Sequence, residues 1–326
     1  MVDPCCASRL SELDEAGEYF VDEKTQTLYF LPPAPLASAA IVLSANQSAA
    51  VVSLGSGTQH VHLVNLKVGY GRKQGISAPA VDSVLIQNCT VYGLGTYGVD
   101  LGGSNSAMLE SEVSHTGCGG VSAHGGDDRT SSPGNVTVRA NHIHHIALWK
   151  RTYQPAIRFA GSGNIYADNV VGFAPHTCMT GGGVNLSFTG NTIDTCCYES
   201  SDVGAFYVCG QGGTAFWGGR GSVVMNNSFL NIRNLDGTGV QGPSVQALYL
   251  DGELPLYCNQ PSLGRALASA LRCVHAFAGS ADQMSGWEIS HNRFVNCMAG
   301  SFIGACVSHV GLFHSIPHTQ TDMPSW

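Results

Sequence analysis

The sequence predicts an all-β fold in which short strands stack as about eight successive coils of a parallel β-helix. Two observations support this prediction: a strand–Asn–strand pattern that recurs along the chain, and a composition with many glycines and few charges. The chain has 326 residues, of which 41 are glycine and only 12% are charged. Because solvated helix faces need more charged residues than this, a helical bundle is disfavoured. The apolar content of 44% argues against disorder.

The recurring unit consists of two short apolar runs on either side of an Asn. In five units, the residue three positions before the Asn and the residue two positions after it are both apolar, as in alternating β-strands. A single unit cannot bury its apolar face, whereas stacking the units at a strand spacing of about 4.8 Å gives a shared core. The two apolar columns are Val138, Tyr166, Phe188, Val224 and Ile289, and then Ile143, Val171, Ile193, Phe229 and Phe294.

The Asn of each unit is expected to lie at the bend between the two strands. Asn suits a bend because it tolerates left-handed backbone conformations and bonds to nearby backbone groups. On stacked coils, these side chains can form a hydrogen-bonded ladder. The five aligned residues are Asn141, Asn169, Asn191, Asn227 and Asn292.

Residues 1–50 do not carry the repeat. Two apolar runs, Tyr19–Val21 and Thr27–Leu31, flank the polar turn Asp22–Thr25 and predict a β-hairpin. We interpret this region as a lead-in that caps the first coil. Residues 51–304 are assigned to the β-helix itself.

Charge and hydropathy exclude several classes of protein. With 15 basic and 23 acidic residues, the net charge is −8, which argues against a nucleic-acid partner because such a partner needs a basic surface. No apolar run is long enough to span a membrane. The first residues, Met1–Cys6, lack the basic start and apolar stretch of a signal peptide.

Cys196 and Cys297 fall at equivalent positions of two coils, and we interpret them as buried thiols.

Five short motifs occur together in one known group of proteins: Leu13–Asp22, Leu28–Pro33, Ala174–His176, Glu199–Tyr207 and Tyr249–Asp251. Through them the sequence resembles the right-handed parallel β-helix proteins of the pectin-lyase-like superfamily, in particular those similar to glycoside hydrolase family 141. The resemblance implies a right-handed β-helix, a glycoside hydrolase activity and an oligo- or polysaccharide substrate. It also implies an extracellular location for the full-length protein, and we expect a monomer.

The last of these motifs is interrupted. In the related proteins a second Asp follows it directly, whereas here residues 252–281 intervene before Asp282. They lengthen the interval between Asn227 and Asn292 to 65 residues, against 36 in the preceding coil. We interpret these residues as a foreign insert, such as a retained intron would produce. Residues 305–326 carry no repeat and are expected to form an irregular tail.

Carboxylates are rare in the coils, so each one is a candidate for catalysis. Glycoside hydrolysis needs two carboxyl groups, one as acid and one as nucleophile or base. We expect Asp202 to pair with Asp251 or Asp282, because equivalent positions on neighbouring coils lie about 5 Å apart, within the range that hydrolases use. The alternative is that these residues cap turns or bind Ca²⁺. A translated insert would separate the acids and leave this chain inactive.

Five further residues are predicted to bind substrate. The ring of Tyr153 can stack on a sugar face, and His176 can donate a hydrogen bond to a sugar oxygen. Glu199 can bind sugar hydroxyls or a cation, while Asp127 and Arg129 can clamp a substrate from one loop. Each of the five also has an ordinary interpretation as a turn, core or surface residue.

No metal site is assigned from the sequence. Ca²⁺, which Asp127 and Asp128 could hold through oxygen ligands, is the one cofactor considered, and an ordinary loop is the alternative. His142 and His144 share one face of a strand, but no cysteine or carboxylate lies at ligand spacing. We therefore interpret these histidines as a surface ladder.

Two other functions stay open. A polysaccharide lyase or epimerase would act on a uronate polymer and would need basic side chains that neutralise the uronate carboxylate. Arg158, Arg220 and Lys150 are scattered along the sequence, and the negative net charge disfavours an anionic polymer. The third function is that of a non-catalytic glycan-binding or surface protein.

Overall fold

The computed structural model describes residues 9–36, 42, 44, 48–209, 220–235, 245–251, 274–276, 287–303 and 309–310. The chain divides into two compact units, Met1–Ala45 and Asn46–Trp326. Within the described ranges, no helix has the length and hydropathy that crossing a membrane requires.

The smaller unit contains a β-hairpin. A short 3₁₀ turn, Leu10–Glu12, precedes the antiparallel strands Tyr19–Asp22 and Thr27–Phe30. The carboxylate of Asp22 accepts a hydrogen bond from the backbone N–H of Lys24 at 2.9 Å, which is the local bond by which an Asp begins a turn. The predicted hairpin is confirmed.

The larger unit winds through three sheets of parallel strands, to which each coil contributes one strand in turn. The first sheet, the wide sheet, contains Ala50–Ser53, Gln74–Asp82, Val99–Ser104, Val121–Asp127, Ile157–Gly161, Met179–Gly181, Gly204–Cys209, Gln246–Asp251, Val274–Ala276 and Ala299–Ile303, with Ser132–Pro133 antiparallel at one side. The second contains His62–Val64, Leu85–Gln87, Ala107–Leu109, Thr137–Arg139, Ile165–Ala167, Ser187–Thr189, Val223–Met225, Glu288–Ser290 and His309–Val310. The third contains Lys67–Gly69, Thr90–Leu94, Glu112–Thr116, His142–His144, Val170–Ala174, Thr192–Cys196, Ser228–Leu230 and Arg293–Val295.

The predicted apolar columns form the inside of this winding. The third sheet has eight strands, so the described residues complete eight coils, as predicted. Tyr166 pairs with Phe188 in the second sheet, and Ile143 pairs with Val171 in the third. Both columns belong to one continuous apolar core, against which the last member, Phe294, packs half-buried. A parallel β-helix is therefore confirmed.

The centre of the core is an aromatic cluster. The ring of Phe188 lies 4.6 Å from that of Phe159, 5.0 Å from that of Tyr166 and 4.9 Å from that of Phe206, measured between centroids. Trp287 of the eighth coil continues the cluster, and all five side chains are buried. Such rings contribute both buried apolar area and favourable edge-to-face contacts.

The asparagine ladder is confirmed, with one correction. The Nδ2 atom of Asn169 donates to Oδ1 of Asn191 at 3.0 Å, and Asn191 donates in turn to Asn227 at 2.9 Å. The same Oδ1 atoms accept backbone N–H groups of the neighbouring coil, so the buried amides leave little hydrogen-bonding capacity unused. The left-handed backbone conformation belongs instead to the preceding residue of each coil: Ala140, Asp168, Gly190, Asn226 and His291.

The interpretation of Cys196 as a free thiol is wrong. It forms a disulfide with Cys178, 18 residues earlier. Cys178 directly precedes a wide-sheet strand and Cys196 ends the third-sheet strand of the same coil, so the bond closes one coil. Cys297 is a thiol outside this disulfide, is only partly buried, and donates to the carbonyl oxygen of Val295 at 3.4 Å.

Two suspect segments are described only in part. Residues 252–281 fall between the wide-sheet and second-sheet strands of the eighth coil, and within them Val274–Ala276 forms a short parallel strand. In the predicted tail, residues 305–326, His309–Val310 pairs in parallel with the second sheet. The remaining residues of both segments lie outside the described ranges.

Candidate functional site

A cluster of polar side chains crosses the outer face of the wide sheet. The strand register pairs Asp100 with Ser122 and Ser122 with Arg158 on three adjacent coils. The flanking residues Val99 and Leu101 are buried in the core. Because side chains alternate between the faces of a strand, the polar residues point outward. Stacking of the coils thus places Asp100 and Arg158, which are 58 residues apart in sequence, on the same outer face.

Asp100 and His124 form a hydrogen-bonded pair at the centre of this face. The Nε2 atom of His124 lies 3.2 Å from Oδ1 of Asp100, with side chains 38% and 20% exposed. The strand position opposite His124 is Gly102, where a Cβ atom would lie 2.2 Å from the imidazole. Glycine therefore leaves the space that the ring occupies. An ionised Asp only accepts hydrogen bonds, so Nε2–H donates and Nδ1 carries the lone pair.

Arg158 donates hydrogen bonds to two tyrosines, Tyr97 and Tyr153. Its Nε atom donates to the phenol oxygen of Tyr97 at 3.1 Å, and its Nη2 atom donates to the carbonyl oxygen of Tyr153 at 2.9 Å. The ring of Tyr97 lies against Gly119, where a Cβ would come within 2.4 Å. Burial raises the pKa of Tyr97, and the nearby Arg158 only partly offsets this. The phenol is therefore protonated at neutral pH.

Tyr97, Asp100 and Arg158 border an open groove of about 600 Å³, a volume typical of ligand sites. Three cations and one acid line it, so the groove is locally basic although the chain is acidic. A smaller cavity of about 290 Å³ contains His124 and Asp128. The groove is lined by Ala49, Lys73, Gln74, Thr96, Tyr97, Asp100, Cys118, Ser122, Lys150, Gln154 and Arg158.

A loop between the third sheet and the wide sheet forms one rim of the groove. It supplies Lys150 and Gln154 to the lining and carries two exposed aromatic residues, Trp149 (53%) and Tyr153 (55%). Trp149 lies against Gly117, where a Cβ would come within 2.1 Å of the indole. Exposed rings beside a polar groove can stack on the apolar faces of sugars.

The structure brings together the predicted binding residues Tyr153 and His176. Their ring centroids are 4.5 Å apart, and Tyr153 adopts a left-handed backbone conformation with φ of 54°. His176 is buried, its Nδ1 atom has no hydrogen-bond partner, and burial lowers its pKa from 6.5 to about 4. The imidazole is therefore neutral at neutral pH.

Glu199, the next predicted binding residue, is held in an ion pair. Arg151 contacts it with Nε at 2.8 Å and also with Nη2. The hydrogen bond that Arg151 donates to Glu199 raises the pKa of Arg151. The pair links the corners of two coils, because Arg151 precedes one wide-sheet strand and Glu199 precedes another. Arg151, the partner of Glu199, is not among the site residues predicted from the sequence.

The structure does not bring Asp202 and Asp251 together. The strand that follows Asp202 runs parallel to the strand that ends in Asp251, and Cys209 is the residue opposite Asp251. Asp202 precedes Cys209 by seven residues, which corresponds to about 20 Å of extended chain. Asp202 itself is exposed, with φ of 53°. Asp282 and the side chain of Asp251 lie outside the described part of the chain, so their roles stay predictions.

Asp127 and Arg129 lie at the opposite end of the wide sheet from Tyr153 and His176. The Oδ1 atom of Asp127 accepts the backbone N–H of Arg129 at 2.9 Å, and this bond lowers the pKa of the carboxyl. Asp127 thus caps its own turn, as an Asp in a loop commonly does. No group of three metal ligands is gathered in the described ranges.

Comparison with known proteins addresses the fold. Residues 74–201 match the family model for the right-handed beta helix region. The protein has a right-handed parallel β-helix fold. No curated protein sequence matches the chain.

Two solved structures share this β-helix. A glycoside hydrolase aligns with a TM-score of 0.62 and 11% identity, over 93% of this chain and 57% of its own. The A-module of mannuronan C-5 epimerase AlgE6 from Azotobacter vinelandii aligns with a TM-score of 0.50 and 9% identity, over 78% of this chain and 59% of its own. The chain therefore spans less than two-thirds of either structure.

The β-helix also explains why sequence analysis missed the groove. Asp100 and His124 belong to wide-sheet strands, and Tyr97 lies two positions before one; the Asn pattern does not mark these strands. The sequence did contain one signal for this site: a charged residue, Asp100, stands between two apolar residues, which the structure buries. Of the three basic residues that the sequence analysis treated as scattered, the winding brings Lys150 and Arg158 to one groove.

Proposed function

We propose that this β-helix protein is a carbohydrate-active enzyme that binds a uronate-containing polysaccharide and moves a proton at C5, the carbon next to the uronate carboxylate. The observation that carries the proposal is the contact of Arg158 with Tyr97 beside the Asp100–His124 pair. Arg158 and Tyr97 provide a carboxylate-binding cation and a proton donor in the groove. Asp100, which also lines the groove, orients His124 as a base in the smaller cavity beside it.

The first requirement is recognition of the uronate carboxylate. Lys73, Lys150 and Arg158 line the groove, and a guanidinium binds a carboxylate through directed, charge-assisted hydrogen bonds. Neutralising the carboxylate makes the adjacent C5–H bond more acidic, because the electron pair left at C5 can spread into the carboxylate. This is the condition for proton abstraction next to a carboxyl group.

The second requirement is a base. Asp100 accepts the Nε2–H of His124 and leaves the Nδ1 lone pair of the imidazole to take the C5 proton. A carboxylate that fixes the tautomer and stabilises the imidazolium is the arrangement by which many enzymes orient a histidine base. In this proposal His124 is the catalytic base and Asp100 is its positioning residue.

The third requirement is a proton donor. Tyr97 is protonated at neutral pH, and Arg158 Nε occupies its oxygen as a donor, which leaves the phenol hydrogen for the substrate. In a lyase reaction, the electron pair at C5 forms the C4–C5 double bond, the C4–O bond breaks and Tyr97 protonates the leaving oxygen. In an epimerase reaction, Tyr97 returns a proton to the opposite face of C5.

The test is product analysis with the full chain and a panel of polyuronates, including mannuronan, polygalacturonate and glucuronan. The expected results are ultraviolet absorbance of an unsaturated uronate or inversion at C5 seen by NMR. The His124→Gln substitution should lower the rate of either reaction at least a hundredfold. Asp202→Asn is the matched control and should keep it.

The opposite result would be new reducing ends without unsaturation or inversion, lost in Asp202→Asn and kept in His124→Gln. That outcome would contradict the proposal and support the hydrolase predicted from the family resemblance. Binding of a polyuronate without turnover in any assay would also contradict it and would favour a glycan-binding protein.

A further inference from the structure

A cluster of histidines lies on the outer face of the third sheet, which is not part of the groove. The ring of His144 lies 4.1 Å from that of His142 and 5.0 Å from that of His145, between centroids. His115 of the preceding coil stacks on His145 at 5.3 Å. Glu112, also of the preceding coil, lies against His144. The proposed reaction uses none of these residues.

The hydrogen bonds fix the tautomer of His144. Its Nε2 atom lies 3.2 Å from Oε1 of Glu112, and an ionised Glu only accepts hydrogen bonds, so Nε2 carries the proton. Its Nδ1 atom then holds a lone pair. That atom lies 2.7 Å from Nδ1 of His145, so His145 donates its Nδ1–H to His144.

The orientation of His145 is also fixed. Its ring stacks on Phe173 of the next coil at 4.6 Å with an interplanar angle of 13°, and on His115 at an angle of 7°. The three residues share a left-handed backbone conformation at successive corners of the β-helix. The His145 imidazole is therefore held between two rings before any ligand arrives, which lowers the entropy lost on binding.

We propose that Nδ1 of His144 and Nδ1 of His145 bind one zinc- or copper-type divalent cation. A carboxylate that accepts the second ring N–H of a histidine is the usual outer partner of a metal-binding imidazole, and Glu112 takes that position. The proton on His145 Nδ1 moves to Nε2 of the same ring. With metal–nitrogen bonds of about 2.0–2.1 Å, the two atoms need to separate by only about 0.6 Å.

The donor set decides the class of cation. Two imidazole nitrogens suit Cu²⁺, Zn²⁺ and Ni²⁺, whereas Ca²⁺ and Mg²⁺ prefer oxygen ligands. Affinity should follow the general order for nitrogen sites, with Cu²⁺ above Ni²⁺ and Zn²⁺. Since no third protein ligand is in place among the described residues, water completes the coordination shell.

Titration calorimetry of the chelator-treated full chain with CuCl₂ and with ZnSO₄ tests the site. One equivalent of metal is expected to bind before any weaker sites fill. His145→Ala should weaken this step at least tenfold, and Glu112→Gln should weaken it about tenfold through the outer partner. His62→Ala, an exposed histidine on the second sheet, is the control and should leave it unchanged.

The electron paramagnetic resonance spectrum of the Cu²⁺ complex gives a second measurement, in which two nitrogen ligands are expected. Absence of a one-equivalent step in the wild type would overturn the proposal. An unchanged step in the folded His145→Ala variant, verified by circular dichroism, would overturn it as well. Loss in His145→Ala with retention in His62→Ala would support it.

Discussion

Arg158 and Tyr97 are 61 residues apart in sequence, yet Nε of Arg158 donates to the phenol oxygen of Tyr97 at 3.1 Å. The same guanidinium holds the carbonyl oxygen of Tyr153 at 2.9 Å. Arg158 therefore connects Tyr97 in the groove to Tyr153 on the rim. In the proposed function, this one side chain links the proton donor to a residue that binds substrate.

This relationship predicts that a positive charge alone is not sufficient at position 158. Arg158→Lys keeps the charge but cannot hold Tyr97 and Tyr153 at the same time. We expect kcat/KM on a polyuronate to fall on the order of a hundredfold, while circular dichroism and the unfolding midpoint stay close to those of the wild type. Arg139→Lys is the control, because Arg139 pairs with Asp168 on the surface. Equal activity of Arg158→Lys and wild type would refute the linking role.

The buried His176 predicts a pH-dependent stability. Its folded pKa of about 4 lies below the ordinary 6.5, so between these values the unfolded chain takes up a proton that the folded chain does not. Stability should therefore fall as pH drops through this window, by about 2 kcal/mol between pH 7.5 and pH 5 from this residue. Urea unfolding at both pH values measures the change.

The control for this titration is His176→Phe, which removes the ionisable group and the unpartnered Nδ1. Burial also lowers the pKa of His144 to about 4, so the comparison is between variant and wild type rather than between two pH values alone. The variant should lose about 2 kcal/mol less than the wild type on acidification. Equal losses would show that His176 does not titrate in this way.

The asparagine ladder predicts a large cost for removing one amide. Asn169 donates to Asn191 and to the carbonyl oxygen of Val138, and its Oδ1 accepts from Asn141. Asn169→Ala leaves these buried groups without partners and should lower the free energy of unfolding by about 3 kcal/mol. Asn88→Gly, at an exposed left-handed corner, should change it by less than about 0.5 kcal/mol. Similar effects of the two substitutions would argue against the ladder as a stabilising element.

The aromatic cluster predicts a second contrast between two phenylalanines. Phe188 is buried against Phe159, Tyr166 and Phe206, so Phe188→Ala should cost about 3–5 kcal/mol. Phe173 is 46% exposed on the outer surface, and Phe173→Asn should cost less than about 1 kcal/mol. Thermal unfolding of both variants measures this, and a smaller loss for Phe188→Ala would contradict the assigned core.

The fold was predictable because the second and third sheets follow a strict rule. Val138 lies three positions before Asn141 and Ile143 lies two positions after it, in a spacing that recurs on every later coil. The side chains between them alternate as strand geometry requires. The ladder followed from the same spacing, whereas the left-handed position one residue earlier did not, because Ala140, Asp168 and Gly190 share no residue type.

The candidate site was less predictable because the wide sheet obeys no such rule. The loops that lead into it differ in length, so neither the pairing of Ser122 with Arg158 nor that of Ser122 with Asp100 could be obtained from fixed intervals. Acidic residues that are chosen as candidates because they are rare in the coils, such as Asp202, need not lie close together in the structure. Convergence depends on strand register, which a single sequence does not specify where loops vary.

Hydrogen exchange at C5 of a polyuronate tests the central claim most directly. The full chain is incubated in D₂O with a polyuronate, and deuterium at C5 of the recovered polymer, or at the corresponding position of its products, is followed by NMR and mass spectrometry. We predict solvent-dependent loss of the C5 proton with wild type and a loss at least a hundredfold slower with His124→Gln. Turnover of the polymer with the C5 proton fully retained would contradict the account.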